Sequence, residues 1–403
     1  MRGMQRLMMG ALCALAIGPF GVHAGSAAND GTKALIAAYN GSGQRLFQAF
    51  AEKPGNIVLS PYSIGTAMAM ALAGARGETE IEMAKVLGLR LSLDEINAAN
   101  AAALADLGAA SSPSLRLFIA NALMLTKKGG VISEDYVSTL REKYAAEVFR
   151  GADLATVNDW VKQKTAGKID SLLSRLDPRT VLVLLDAVYF KARWETLFDA
   201  GATHKEPFRL LKGEAEVQMM HLRSDFTVAE RAGYRAIRLP YVGERVGMIV
   251  VLPDKSGAEV DKWPAEDEFQ SLLAALHAPA QSVQLSLPRF RASFKADLVA
   301  PFEQMGMHRA FDAWAADFSG MTGKPQSAVP LQIDQIVHRA VIDVGEEGTE
   351  AAAATGVTVG VAAAPMQRAI TFRVDRPFLF AIVDELTGAV LFAGRIVDPR
   401  QAS

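Results

Sequence analysis

Residues 180–190, TVLVLLDAVYF, are apolar almost throughout. A strand with one wet face alternates apolar and polar side chains, so this run suits a strand buried on both faces. A chain containing such a strand must supply further layers to cover it. The flanking sequence has the means. The first third is helix-rich: TKALIAAYNGSGQRLFQAF carries apolar residues at helical spacing, and SPYSIGTAMAMALAG begins with Ser60 as an N-cap and Pro61 in the first turn. Gly74 and Gly77 separate that helix from the next, Glu78 to Leu87, and Leu93 to Leu107 is a further helical stretch. Strand candidates gather later, at residues 115–125, 234–241, 246–253, 282–290, 330–344, 369–374, 378–385 and 389–397. Helices early and strands late, with no βαβ regularity, no repeat and no linker, point to one large α+β domain.

The N-terminus reads as a segment to be removed. Arg2 and Arg6 precede an apolar run from Leu7 to about Val22, and Val22-His23-Ala24 has the small-x-small spacing of a cleavage site. Residues 1–24 are therefore expected to be a signal peptide, which implies a secreted or periplasmic protein. The apolar run is marginal for a membrane span, and Gly18-Pro19 interrupts it. Cleavage leaves 379 of the 403 residues, 40 basic against 44 acidic. That length is ample for a large core. The balance gives no basic face for nucleic acid, and nothing later in the chain could cross a bilayer. The only cysteine, Cys13, leaves with the leader, so the mature chain holds itself together without disulfides.

Enzyme signatures are missing: there is no G-x-S-x-G elbow, phosphate-cradling glycine loop, H-E-x-x-H or C-x-x-C. The six histidines are scattered without ligand spacing, and His204, His221, His277 and His308 read as surface or packing residues. Neither a metal, a cofactor nor a catalytic role is expected.

GEEGTEAAAATGVTVGVAAAPMQ, residues 345–367, is the hardest stretch to place. It is too apolar for an ordinary exposed loop and too small-sided for a core strand. A short alanine-rich helix would explain EAAAAT, but not the β-branched, glycine-interrupted TGVTVGV that follows.

An ordered series of segments resembles the serpins, the serine-protease-inhibitor family. It runs from NIVLSPYSIGTAMAMALAGARGETEIEMAKVL (56–87) through IANALML (119–125), DAVYFKARWETLF (186–198), AIRLPY, MIVVLPD, LSLPRFRASF and DFSGMT. VHRAVIDVGEEGTEAAAAT (337–355) is similar to the family's last central strand and loop hinge, and FRVDRPFLFAIVDELTGAVLFAGRIVDP (372–399) to its C-terminal signature. The resemblance spans essentially all of residues 25–403. It implies a single domain with three β-sheets, about nine helices and an exposed reactive-centre loop at about 346–368. It further implies a suicide inhibitor: a protease attacks the loop, forms an acyl-enzyme, and is trapped when the cleaved loop inserts into the central sheet.

The resemblance implies a set of site residues. The hinge is Gly348, Thr349, Glu350, Ala351, Ala352, Ala353, Ala354 and Thr355. Successive strand residues alternate between faces, so Thr349, Ala351, Ala353 and Thr355 would point inward, all small enough not to overpack a core. Counting from Gly348 puts the attacked bond at Ala362-Ala363, with cleavage after Val361 as the alternative. Small aliphatic residues there suit elastase-like or subtilisin-like proteases. Asn56, Ser60, Ser63, Asp186 and His338 fall at the "shutter" beneath the central strands, where Asn56, Ser60 and Ser63 could equally serve as helix caps. Asp186 stands where the family usually has Asn. Trp194, Arg289 and Glu346 fall at the "breach", where the loop first inserts, with Arg289 and Glu346 positioned as an ion pair. The expected partner is a target serine protease held in a covalent acyl complex by a monomeric inhibitor. A non-inhibitory binding or carrier serpin and a cross-class inhibitor of cysteine proteases are the alternatives.

Overall fold

The computed structural model describes residues 30–126, 131–255, 258–326, 328–349 and 369–401. The helices among them are α1 (Asp30–Ala49), α2 (Pro61–Gly74), α3 (Gly77–Leu87), α4 (Leu93–Ala109), α5 (Glu134–Tyr144), α6 (Leu154–Lys164), α7 (Glu266–Ala275), α8 (Val299–Gln304) and α9 (Ser319–Thr322). The strands are β1 (Ile57–Leu59), β2 (Leu115–Leu125), β3 (Glu147–Arg150), β4 (Leu182–Arg193), β5 (His204–Arg209), β6 (Glu214–Arg231), β7 (Tyr234–Pro240) and β8 (Val246–Pro253). They continue with β9 (Gln281–Pro288), β10 (Phe290–Asp297), β11 (Ile333–Gly345), β12 (Gly348–Thr349), β13 (Ile370–Arg373), β14 (Phe378–Asp384) and β15 (Ala389–Ile396).

Local chemistry explains the helix boundaries. Ser60 has extended backbone and its hydroxyl accepts from the Ser63 N–H, while Pro61 opens α2 where no intrahelical donor is needed. Ser92 and Glu95 form a reciprocal capping box on α4. α2 is buried nearly all round because it runs between the two sheets, against β2 and β4 on one side and β15 on the other.

One sheet has the order β10-β11-β12-β4-β2-β3. The other follows β1-β15-β14-β8-β7-β6-β9-β13, with β5 added beside β6. The long β6 serves two groups of strands: residues 227–231 pair with β7 and residues 219–226 with β9. The expected third sheet is therefore continuous with the second through this strand. Neither β5 nor β6 was legible in the sequence, because exposed and buried positions mix irregularly along β6.

β4 is covered on both faces, as its apolar run requires. Leu182, Leu184, Val188 and Phe190 join the main core shared with α2. Val183, Leu185, Ala187 and Tyr189 face a separate cluster with Val157, Val161, Ile169 and Leu172. Asp186 is the one charged residue in the buried part of the strand, and it points to the α2 side.

Candidate functional site

The site is built around the junction of β4 and β11. Over most of their length these strands pair directly and in parallel, from Ile333 opposite Leu182 to Val341 opposite Tyr189. At the upper end they part, and β12 lies between them. Gly348 and Thr349 pair antiparallel with Arg193 and Ala192 on one side and with Gly345 and Val344 on the other.

Only glycine fits at position 348. Its φ is +153°, and a Cβ there would lie 2.0 Å from the Ala192 carbonyl oxygen. Thr349 is fully buried, and its hydroxyl lies 2.6 Å from the Tyr241 phenol oxygen. Burial pushes the Tyr241 phenol well up, and the Thr349 hydrogen bond only partly offsets that. The pair is thus a neutral hydroxyl–hydroxyl contact in an apolar setting, where either oxygen can donate.

Trp194 anchors the turn leading into β12. Its indole N–H donates to Gly345 O at 2.9 Å, its backbone N–H donates to Glu347 O at 2.9 Å, and its ring stacks on Tyr241 at 4.4 Å. Glu346 lies just beyond β11. Its carboxylate is paired with the Arg289 guanidinium, accepts from the Thr203 hydroxyl at 2.7 Å, and its carbonyl accepts from the Phe198 N–H at 3.0 Å. Burial works to raise the Glu346 carboxyl, but the hydrogen bonds from Arg289 and Thr203 outweigh it and hold the group below its ordinary value. Trp194, Arg289 and Glu346, separated by up to 152 residues in sequence, are brought to one place. Thr203 and Tyr241 complete it and were missed by sequence reasoning; the only signal was that Tyr241 ends the AIRLPY strand.

Lower in the same cleft, Ser63, Asp186 and His338 form a buried chain. The Ser63 hydroxyl donates to Asp186 Oδ1, and His338 Nδ1 lies 2.7 Å from Asp186 Oδ2. Ser63 and His338 are fully buried, as is Asp186. The link ties α2 to β4 and β4 to β11 across the seam that would have to open, since His338 and Asp186 are register partners. Ser60 acts as the α2 cap and makes no contact with the carboxylate.

Asn56 precedes β1 and caps no helix. Its amide instead donates to Asp398 O at 2.9 Å and Gln401 O at 3.2 Å, and its oxygen accepts from the Val397 and Asp398 N–H groups. It fastens the C-terminal residues beside β1. The physical reason is that the residues after β15 run on past the start of β1, where the ladder ends, and a carboxamide can serve both their donors and their acceptors.

Glu350, Ala351, Ala352, Ala353, Ala354 and Thr355, and the expected cleavage residues Val361, Ala362 and Ala363, lie outside the described residues, as does the expected leader.

Comparison with known proteins agrees with this geometry. The family model described as serpin (serine protease inhibitor) matches residues 37–399. The human leukocyte elastase inhibitor is 35% identical over 376 residues, covering 88% of this chain and 96% of its own. Among solved structures, the thermophilic serpin tengpin in its native state superposes with a TM-score of 0.83 at 29% identity, covering 92% of this chain and 95% of that one. Human thyroxine-binding globulin complexed with thyroxine superposes with a TM-score of 0.82 at 28% identity, covering 92% and 100%. With sequence motifs, sheet topology and all three comparisons in agreement over nearly the whole length, this chain belongs to the serpin family.

Proposed function

We propose that this chain is an irreversible suicide-substrate inhibitor of serine proteases that accept small aliphatic residues, elastase-like or subtilisin-like in preference. The observation that carries the reading is β12. The first inward residue of the hinge, Thr349, already occupies a slot between β4 and β11 that is closed to solvent and supplies a hydrogen-bond partner. The top of the sheet is thus built to receive the loop.

Insertion has a favourable direction. It exchanges a parallel β4–β11 pairing for two antiparallel ones, and parallel pairing is slightly the weaker per residue. Each added backbone hydrogen bond contributes roughly 1 kcal/mol net, so a dozen or so rival the ordinary stability of a domain, about 5–15 kcal/mol. Continuing the β12 register down the seam, Ala351 would meet Phe190 and Ile342, and Ala353 would meet Val188 and Ala340. Thr355 would arrive between Asp186 and His338. The loop then has to break the 2.7 Å link between those side chains, which accounts for a native state that waits. Thr355 brings a hydroxyl to the groups it separates. The Arg289–Glu346 pair would restrain the same motion from above.

The bait would be Ala362-Ala363, with Val361 as the alternative residue before the bond. Likeness to a leukocyte elastase inhibitor supports a target with a shallow primary pocket. The inhibitor would act as a secreted or periplasmic monomer after loss of residues 1–24. Cysteine proteases remain within reach of the same trap, which needs an acyl intermediate rather than serine itself.

The test is to incubate the protein with pancreatic-type elastase, a subtilisin and trypsin, and separate the products by SDS electrophoresis. An SDS-stable complex with elastase or subtilisin, together with a released peptide beginning at Ala363, is the expected result. Likeness to thyroxine-binding globulin favours a second reading, a non-inhibitory carrier. Loop cleavage without any complex would overturn the inhibitor reading in its favour.

A further inference from the structure

His204, Glu206 and His221, which no sequence motif links, converge on one face of the β5–β6 pair. His204 and Glu206 are two apart on β5 and share a face, and His221 lies diagonally across on β6. Their ligand atoms all lie within 4.8 Å of one another. His204 Nε2 is 2.8 Å from Glu206 Oε1, and His221 Nε2 is 3.0 Å from the same oxygen. The two imidazoles stack, with ring centres 4.7 Å apart, so both Nε2 atoms face the carboxylate.

Proton accounting makes the arrangement informative. His204 Nδ1 is 3.0 Å from Ala202 O, and a carbonyl oxygen only accepts, so Nδ1 carries the proton. In the neutral ring Nε2 is then a lone pair, and it faces a carboxylate oxygen that is also an acceptor. Two acceptors at that distance call for a positive charge between or upon them. His221 is fixed in turn by Ser286, whose hydroxyl lies 3.1 Å from Nδ1. The second Glu206 oxygen is paired with Arg373 at 2.6 Å, so Oε1, the oxygen that both imidazoles face, is the one presented to an ion. Outer hydrogen bonds on each member of a His/carboxylate set are what orient metal ligands.

We propose that His204, Glu206 and His221 form a binding site for a first-row divalent transition-metal ion, with zinc the best-fitted case. Two imidazoles and one carboxylate suit Zn²⁺, Cu²⁺ or Ni²⁺ and not the all-oxygen preference of Ca²⁺ or Mg²⁺. Zinc ligands at about 2.0–2.1 Å from the ion stand about 3.3 Å apart in a tetrahedron, so the two nitrogen–oxygen separations here, 2.8 and 3.0 Å, widen by a few tenths of an ångström when the ion enters. Rotation of the rings about χ2, a soft torsion, aims their lone pairs at a common point. His204 is exposed, so water completes the coordination. The site begins one residue after Thr203, which holds Glu346. Through Arg373 it also reaches the end of β13, the strand that follows the reactive loop.

The test is calorimetric titration of the full chain, free of any affinity tag, with Zn²⁺ and Ni²⁺, and with Co²⁺ read by its visible absorption. Saturable binding of one equivalent is expected, with the unfolding temperature rising as metal is added. His204→Ala and His221→Ala should each weaken binding more than about tenfold, and Arg373→Gln, which removes the partner that orients Glu206, should weaken it as well. Retention of the wild-type circular dichroism by each variant keeps the comparison valid. Unchanged affinity in His221→Ala would overturn the proposal. So would a wild-type chain that takes up no metal at neutral pH while nuclear magnetic resonance shows His204 doubly protonated, the charge then being a proton.

Discussion

On the proposed inhibitory function, replacing Thr349 with arginine should turn the chain from a trap into a substrate. Thr349 is fully buried, and its hydroxyl is the hydrogen-bond partner of a phenol that is itself fully enclosed. Removing that partner strands the Tyr241 oxygen, at a cost of about 1–3 kcal/mol. Lodging a guanidinium between Ala192 and Val344, with no carboxylate in hydrogen-bond contact with Thr349, adds several kcal/mol more. That cost expels the side chain from the slot in the waiting state, so burying it becomes part of the barrier to insertion; at roughly 4 kcal/mol the step slows about a thousandfold. Trapping competes with deacylation, so a delay of that size lets the protease release a cleaved inhibitor and turn over. The assay is a titration of elastase or subtilisin activity against inhibitor, with complex and cleaved product resolved on an SDS gel. The expected outcome is loss of the stable complex and many inhibitor molecules consumed per protease. Glu350→Arg places the same cation one residue later, on the face expected to meet solvent, and should leave trapping intact. An unchanged stoichiometry in Thr349→Arg, or equal damage from both variants, would refute the reasoning.

Three further outcomes follow from the same geometry. Gly348→Ala puts a Cβ 2.0 Å from Ala192 O, so β12 should leave the sheet; proteolysis around Glu346–Thr349 should accelerate, and slower exchange of the Ala192 amide would contradict this. Glu346 is held below its ordinary carboxyl value, so its pairing stabilises the waiting state above about pH 4.3 and is lost as pH falls through the lowered value. Spontaneous loss of inhibitory activity should therefore quicken at acid pH, and Arg289→Gln should quicken it at neutral pH and flatten the dependence. Asp186→Ala leaves the buried Ser63 hydroxyl and His338 ring without their acceptor and should cost about 3–5 kcal/mol in denaturant unfolding, whereas Asp186→Asn, which keeps an oxygen for Ser63, should cost about 1–2 kcal/mol.

Elements with strong local periodicity are legible in the amino-acid sequence alone. β2 and β8 occupy the expected residues, and α2 starts at the Ser60-Pro61 signal. β6 was hidden because a strand with mixed exposure on both faces has no dominant period, and its partners come from remote segments. The site divides in the same way. Family motifs pointed to Trp194, Arg289, Glu346, Ser63, Asp186 and His338, and the structure brings these into two connected groups. Asn56 carries the same motif resemblance yet serves the C-terminal residues, because a carboxamide bonds whichever backbone passes it. The histidine set was invisible in sequence: the two-residue spacing of His204 and Glu206 means nothing until β6 brings His221 alongside.

The sequence by itself determined that β4 must be sandwiched and that alternate residues from Thr349 to Thr355 have side chains small enough to lie between strands. Burial on both faces and side-chain volume are properties of local composition, so they can be read in one dimension. Only the tertiary structure decided that β4 and β11 close directly below β12, that Thr349 is already seated against Tyr241, and that the Asp186–His338 link lies across the path below it. Those facts depend on register between strands about 150 residues apart, and register is fixed by packing and hydrogen bonding across the whole sheet rather than by any one strand.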